Sequence, residues 1–286
     1  MKILIPVDFS ETSINAVEKG INLAKAAKGE VNLLHVIKKG GGLSWLFSPS
    51  QKGPELDQDE AREKLQNLYE EYHDSGVKIS YDSREGAQVE NTIKDYCDEV
   101  EADLICMGTH GVSGTKSSWV GSNAYRLMTV ATVPVIVMNK DFKESSFNKI
   151  VLPIDDSRHT REKVPQTINI GKFFNATIHI LGMSPDEKGE IYNKIYNYSH
   201  QVRDFISEKG FETKIDIVKA DNPANTTIKY ARDVEANLIS IMTEQEYDPY
   251  SLIMGPYAQQ MVSYSEIPVL TSRPSSNLRG VAAVTR

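Results

Sequence analysis

Cysteine is scarce in this chain, and long apolar runs are missing. Among 286 residues only Cys97 and Cys106 occur. The first falls in a helical pattern and the second in an apolar strand run, so both read as buried, reduced thiols rather than a disulfide or a metal pair. No stretch approaches the roughly 18 apolar residues of a membrane span, and the opening MKILIPVDFS is a short polar-bounded strand rather than a signal peptide. A cytoplasmic location is therefore expected. Positive charge is in deficit, 32 Lys and Arg against 39 Asp and Glu, a net −7. That balance argues against a nucleic-acid partner and against attraction to anionic lipid, so any bound phosphate must be held by local geometry. Two phosphate signatures are absent as well. Pro6-Val7-Asp8-Phe9-Ser10 stands where a dinucleotide fold would place G-x-G-x-x-G. Gly114-Thr115-Lys116-Ser117 is not the end of a P-loop, because Thr115 separates the glycine from the lysine.

What is present is a repeat. KILIPVD at Lys2–Asp8 returns as KIVLPID at Lys149–Asp155, VEADLI at Val100–Ile105 as VEANLI at Val234–Ile239, and VPVIV at 133 as IPVLT at 267. The offset shortens from 147 positions at the first match to 134 at the later ones, so the first copy carries extra residues, most simply the Gly/Ser/Pro-rich Lys38–Pro54. Two domains are expected, 1–140 and 147–274, joined by DFKESSFN, with a disordered tail at 275–286.

Each copy alternates short apolar runs with amphipathic segments. Strands are expected near 2–7, 31–37, 77–82, 103–107 and 134–138, then near 149–154, 176–182, 212–218, 237–242 and 267–271. Helix faces are marked by Ile14, Val17, Ile21 and Ala24, by Leu65, Leu68 and Tyr72, by Val89, Ile93, Tyr96 and Val100, and by Ala124, Leu127 and Met128. Runs such as ILIPV and DLICM are apolar throughout, as in a parallel sheet covered on both faces. A βαβ series follows, hence doubly wound α/β domains, and Pro165 should kink or delay the first helix of the second copy.

The most informative stretch is MGTHGVSGTKSSWVGS, Met107–Ser122, with glycines at 108, 111, 114 and 121. A glycine-rich loop leaving a buried strand either turns through positive φ or comes close to a ligand. It runs into Ser122, Asn123 and a helical AYRLMTVA, so it delivers N–H groups to a helix N-terminus, where phosphate binds. Asp8 leaves the first strand and Gly108 the fourth; if those strands are neighbours, one crevice collects both. Glycine at 108 and 111 would admit a ribose and the nearest phosphate, while Gly121, Ser122 and Asn123 would offer donors to the outer phosphates. Asp8 would face base or sugar, or else simply form the turn before Ser10, the cap of the first helix. Lys116 reads as a solvated loop lysine and His110 as an ordinary loop residue. His35 and His179 read as equivalent strand ends in the two copies, with no second ligand at metal spacing.

These residues resemble the universal stress proteins, specifically their tandem form. The resemblance covers nearly all of 1–274 through PVDFSETS, REGAQVENTI, ADLICMGTHG, the G-x2-G-x9-G-S loop and VPVIV. It implies a five-stranded parallel sheet in the order 3-2-1-4-5, ATP or another adenine nucleotide with Mg left open, and pairing of two domains through their last strands, with a homodimer also conceivable. By that pattern Asp8 and the backbone near Val36 and Met107 would hold adenine and ribose, and Gly108, Gly111, Gly121, Ser122 and Asn123 ribose and phosphates. In the second copy Gly108 becomes Met242, Gly111 becomes Gln245, Gly114 becomes Asp248, and Gly121-Ser122 becomes Gly255-Pro256. One nucleotide per chain is expected, with the second copy structural or serving another ligand.

The leading expectation is a nucleotide-binding stress-response regulator acting on an unknown protein partner. Two alternatives are a slow ATP hydrolase, for which no general base or acidic pair stands out, and a nucleotide-independent docking protein. The feature for the last is Trp45-Leu46-Phe47 in the insertion, read as either a small lid or a partner anchor.

Overall fold

Near-continuous apolar runs, helices started by capping side chains and short turns build two compact units, Met1–Lys143 and Glu144–Arg286. The computed structural model describes residues 1–39, 56–109, 121–244 and 254–274. Gly111, Gly114, His110, Lys116, the Trp45-Leu46-Phe47 trio, Gln245, Asp248 and the tail from Ser275 lie outside the described residues.

The first unit runs β1 (Lys2–Pro6), α1 (Glu11–Ala27), β2 (Glu30–Lys38), α2 (Gln58–Tyr72), β3 (Lys78–Gly86), α3 (Val89–Glu99), β4 (Leu104–Gly108), α4 (Ser122–Val130) and β5 (Val135–Met138). Its strands are parallel in the order β3-β2-β1-β4-β5. Right-handed crossovers require α1 and α2 on one face and α3 and α4 on the other; α1 packs on β1, β2 and β4, and α3 on α4. Covered on both sides, Ile3, Leu4, Ile5, Leu33 and Ile105 have no exposed surface. The chain leaves β1 in one direction and β4 in the other, so the crevice beyond Pro6 and Gly108 is the topological switch point.

The second unit repeats the pattern with β6 (Lys149–Ile154), α5 (Val164–Gly171), β7 (Thr177–Ser184), α6 (Glu190–Glu208), β8 (Thr213–Lys219), α7 (Pro223–Asp233), β9 (Leu238–Met242), α8 (Pro256–Tyr264) and β10 (Val269–Ser272). Its parallel order is β8-β7-β6-β9-β10, again 3-2-1-4-5. The expected effect of Pro165 is seen: α5 has 8 residues against the 17 of α1 and begins only at Val164, with the proline in its first turn. A core of Leu152, Ile154, Ile178, Ile180, Val202 and Ile206 lies against α6.

Ser10 starts α1. Its hydroxyl accepts the Ser13 N–H at 3.2 Å and donates to Asp8 Oδ1 at 2.6 Å. Ser10→Ala removes both bonds, and a loss of about 1 kcal/mol is expected. Equilibrium urea unfolding of the full chain measures it, and an unchanged first-unit midpoint would contradict the cap.

Candidate functional site

At the mouth of the first unit, Asp8 sits two residues beyond β1 and folds back on the turn. Its Oδ1 accepts the Ser10 N–H at 3.1 Å as well as the hydroxyl. The turn-forming role of Asp8 is therefore real, and it orients the carboxylate beside the strand end. Phe9 takes a positive φ of 62°, a strained setting for a bulky residue. Its ring lies 4.9 Å from the His35 ring, with the Lys64 ammonium 5.3 Å away on α2. The His35 Nδ1–H donates to the Val7 carbonyl at 2.7 Å, pinning β2 to the exit of β1. Burial holds His35 below the ordinary histidine value despite that bond and the nearby Asp8. Val36, the next residue, is half-buried near the end of β2.

Histidine equivalence is corrected by register. Ile3 pairs with Val31 and Leu4 with Asn32, while Ile150 pairs with Ile178 and Val151 with His179. The counterpart of His179 is thus Asn32, and that of His35 is Gly182. His179 lies near the start of β7 and His35 near the end of β2, at opposite ends of equivalent strands.

Gly108 closes β4 beside Met138. A Cβ there would lie 2.6 Å from Thr12 Cγ2 and 3.0 Å from the Thr12 carbonyl carbon, so the first turn of α1 already needs a glycine at 108. Met107 beneath it is buried. Beyond β4, the Thr109 N–H donates to the Met138 carbonyl at 2.9 Å, and the Gly121 N–H donates to the Thr109 carbonyl at 2.7 Å. Those bonds clamp the two ends of the glycine-rich loop together. They also use up the Gly121 amide, so the expectation that Gly121 itself donates to phosphate is corrected: it contributes a small side and a turn, with ordinary angles of φ −56° and ψ 142°.

The donors lie one step on. Among the described residues no side chain caps α4, and none makes a hydrogen bond to the N–H groups of Ser122 or Asn123. Both side chains are exposed at the crevice. Two orphan amides on the positive end of a helix dipole suit an anion. Among the described residues no cluster of three or more His, Cys, Asp or Glu could hold a metal ion, and no helix is long and apolar enough to cross a membrane.

The second unit keeps the clamp and loses the donors. The Gly255 N–H meets the Thr243 carbonyl at 2.9 Å, and the Thr243 N–H meets Ser272 at 2.9 Å. Pro256 then opens α8 without an N–H. Three side chains missed by the sequence reading also converge here. Tyr257, at the position of Asn123, sends its hydroxyl to 3.0 Å from Thr227 Oγ1. Thr227 Oγ1 in turn donates to the Pro223 carbonyl at 2.8 Å and lies 3.2 Å from Met183 Sδ, where Met183 is the counterpart of Val36. Lys163, at the position of Ala16, is 3% exposed, and its ammonium donates to the Thr160 carbonyl at 2.5 Å. Burial pulls it down to about 8, against the opposing pull of Asp155. Burial pushes the Asp155 carboxyl up, but Lys163 with Ser157 and Thr160 outweighs that and holds it below the ordinary value. All three follow from the repeat offsets: Tyr257 and Thr227 stand 134 positions after Asn123 and Ile93, and Lys163 stands 147 after Ala16.

A doubly wound parallel α/β unit with its crevice at the β1/β4 switch point is the class these features define. A model of the universal stress protein family matches residues 1–139. A universal stress protein of Methanocaldococcus jannaschii is 36% identical over 150 residues, spanning 50% of this chain and 84% of that protein. One from Mycobacterium tuberculosis is 26% identical over 208 residues, 70% of this chain and 73% of its own. The solved structure of a universal stress protein from Archaeoglobus fulgidus covers 96% of this chain and 97% of its own, with a TM-score of 0.73 at 20% identity, a likeness of fold alone. This chain belongs to the universal stress protein family.

Proposed function

We propose that the first unit binds ATP or a related adenine nucleotide and that its occupancy sets how the protein engages a partner during stress, in the cytoplasm. The observation that carries this reading is the start of α4, the next helix after β4, where the Ser122 and Asn123 amides have no hydrogen-bond partner among the described residues at the switch point. The phosphates would meet those two amides and the Ser122 hydroxyl, with Gly121 and Gly111 giving room. Asp8, already oriented by Ser10, would accept from base or sugar, since a carboxylate repels phosphate. The backbone at Val36, Met107 and Gly108 would line the base and ribose end. A net charge of −7 supplies no general attraction, so affinity rests on these local donors.

Replacing Gly121 with valine places a branched side chain at the mouth while its φ of −56° remains allowed. Isothermal titration with ATP should show Gly121→Val weakening binding by about a hundredfold, equivalent to roughly 3 kcal/mol. Unchanged affinity would remove the phosphate assignment. Recovery of intact nucleotide after incubation would favour a binding protein over the hydrolase alternative.

A further inference from the structure

The second unit puts a phenol where the first has an amide side chain. Tyr257 begins in the first turn of α8, behind β9, yet its hydroxyl reaches Thr227 on α7 at 3.0 Å and, through it, Met183 near the end of β7. The reach crosses the ends of the strands on either side of the switch point. Thr227 is 0% exposed, and the hydroxyl of Tyr257 is buried, with Asp155 close enough to raise its pKa further above the phenol value that burial already lifts. On the other side of the strand ends the Lys163 ammonium is shut in with Thr160 and Asp155. Asp155, the counterpart of Asp8, accepts the Ser157 N–H at 2.9 Å, and its own N–H goes to Thr160 Oγ1 at 3.1 Å.

We infer that the second unit carries its own occupant: Tyr257 from one face and Lys163 from the other fill the crevice that the first unit leaves to a ligand, and shut the second unit to nucleotide. Several changes make this a closure rather than a mere loss of affinity. Asn123 becomes a ring long enough to cross the crevice, Ile93 becomes Thr227 to bond its hydroxyl, and Ala16 becomes Lys163 to neutralise the carboxylate. Thr227 Oγ1, whose own proton goes to the Pro223 carbonyl, is left to accept from the Tyr257 hydroxyl, and that bond holds the ring in one place because without Thr227 a buried phenol would lose it. The second unit then keeps one conformation at any nucleotide concentration. This closure stands on the second unit's residues and does not depend on what the first unit binds.

Full-length Tyr257→Ala tests it, with p-cresol as the probe of the vacated space, in the way an engineered apolar cavity takes a small aromatic. The variant is expected to melt about 4 °C or more below the wild type. Millimolar p-cresol should restore most of that loss while leaving the wild type and Asn123→Ala unmoved. A folded Tyr257→Ala that melts like the wild type, or that gains nothing from p-cresol, overturns the inference. Should the variant not fold, nitration of the wild-type chain by tetranitromethane gives the answer by peptide mass spectrometry. Tyr257 should react at least tenfold more slowly than Tyr264, which is 50% exposed; equal rates would overturn the closure.

Discussion

Gly108→Met is expected to destabilise the first unit by about 3 kcal/mol, at the upper end of what overpacking costs, although methionine is the residue that the second unit carries at the same place. The cause is the start of α1. Ser10 caps that helix early, so Thr12 lies over Gly108 with a would-be Cβ only 3.0 Å from its carbonyl carbon. Backbone held by a cap and by the β4–β5 pairing cannot retreat as a side chain can. In the second unit Pro165 delays the helix to Val164, a turn replaces its first part, and Met242 is accommodated at 7% exposure. Urea unfolding of full-length Gly108→Met checks this, with Met242→Leu as a control expected to change stability by less than about 1.5 kcal/mol because volume is conserved. Equal behaviour of the two variants would show that Thr12 yields and that Gly108 is not required by packing.

The second large effect is expected at Asp155. Asp155→Ala leaves the Lys163 ammonium, 3% exposed, without its carboxylate, and a loss of about 3 kcal/mol should follow at neutral pH. Asp8→Ala in the first unit, where the carboxylate serves a turn and a cap, should cost only about 1 kcal/mol. The pH dependence follows from the lysine. In the folded chain Lys163 is drawn down to about 8, below its ordinary 10.5, so between those values the unfolded chain binds more protons than the folded one. The contribution of Lys163 to stability must therefore rise with pH in that window, as the penalty for a buried cation is relieved. Cys97 and Cys106, whose thiols burial pushes up, pull the other way but do so equally in Lys163→Met. Between about pH 8 and 9.5 the wild type should therefore gain on the order of 2 kcal/mol relative to Lys163→Met, at 1.36 kcal/mol per unit. Equal slopes in the two proteins would show that the amine is not buried as described.

Much of the fold could be read from the chain because the strands are covered on both faces. ILIPV and DLICM could be little else than central strands, and both sheets form in the expected order. The end of β3 was less visible. Asp82 to Gly86 is polar, yet it continues the ladder opposite Leu34 to Lys38 because backbone pairing there does not need apolar side chains. Pro165 announced the late start of α5. The reading of Gly108 was incomplete for a physical reason: a missing Cβ signals close approach, but spacing does not say whether the neighbour is a ligand or Thr12. Gly121 shows the same limit, since its amide is taken by Thr109. Tyr257 and Lys163 leave no trace in glycine spacing, which reports only where side chains are missing. Here the decisive changes were additions, visible only once register placed Tyr257 beside Thr227 and Met183.

Native mass spectrometry of the intact chain titrated with ATP reads the contrast between the two units directly. One nucleotide per chain, bound about a hundredfold more weakly in Gly121→Val and unaffected by Lys163→Met, is the predicted result. Two nucleotides per wild-type chain, or none at saturating ATP, would contradict an open first unit beside a closed second one.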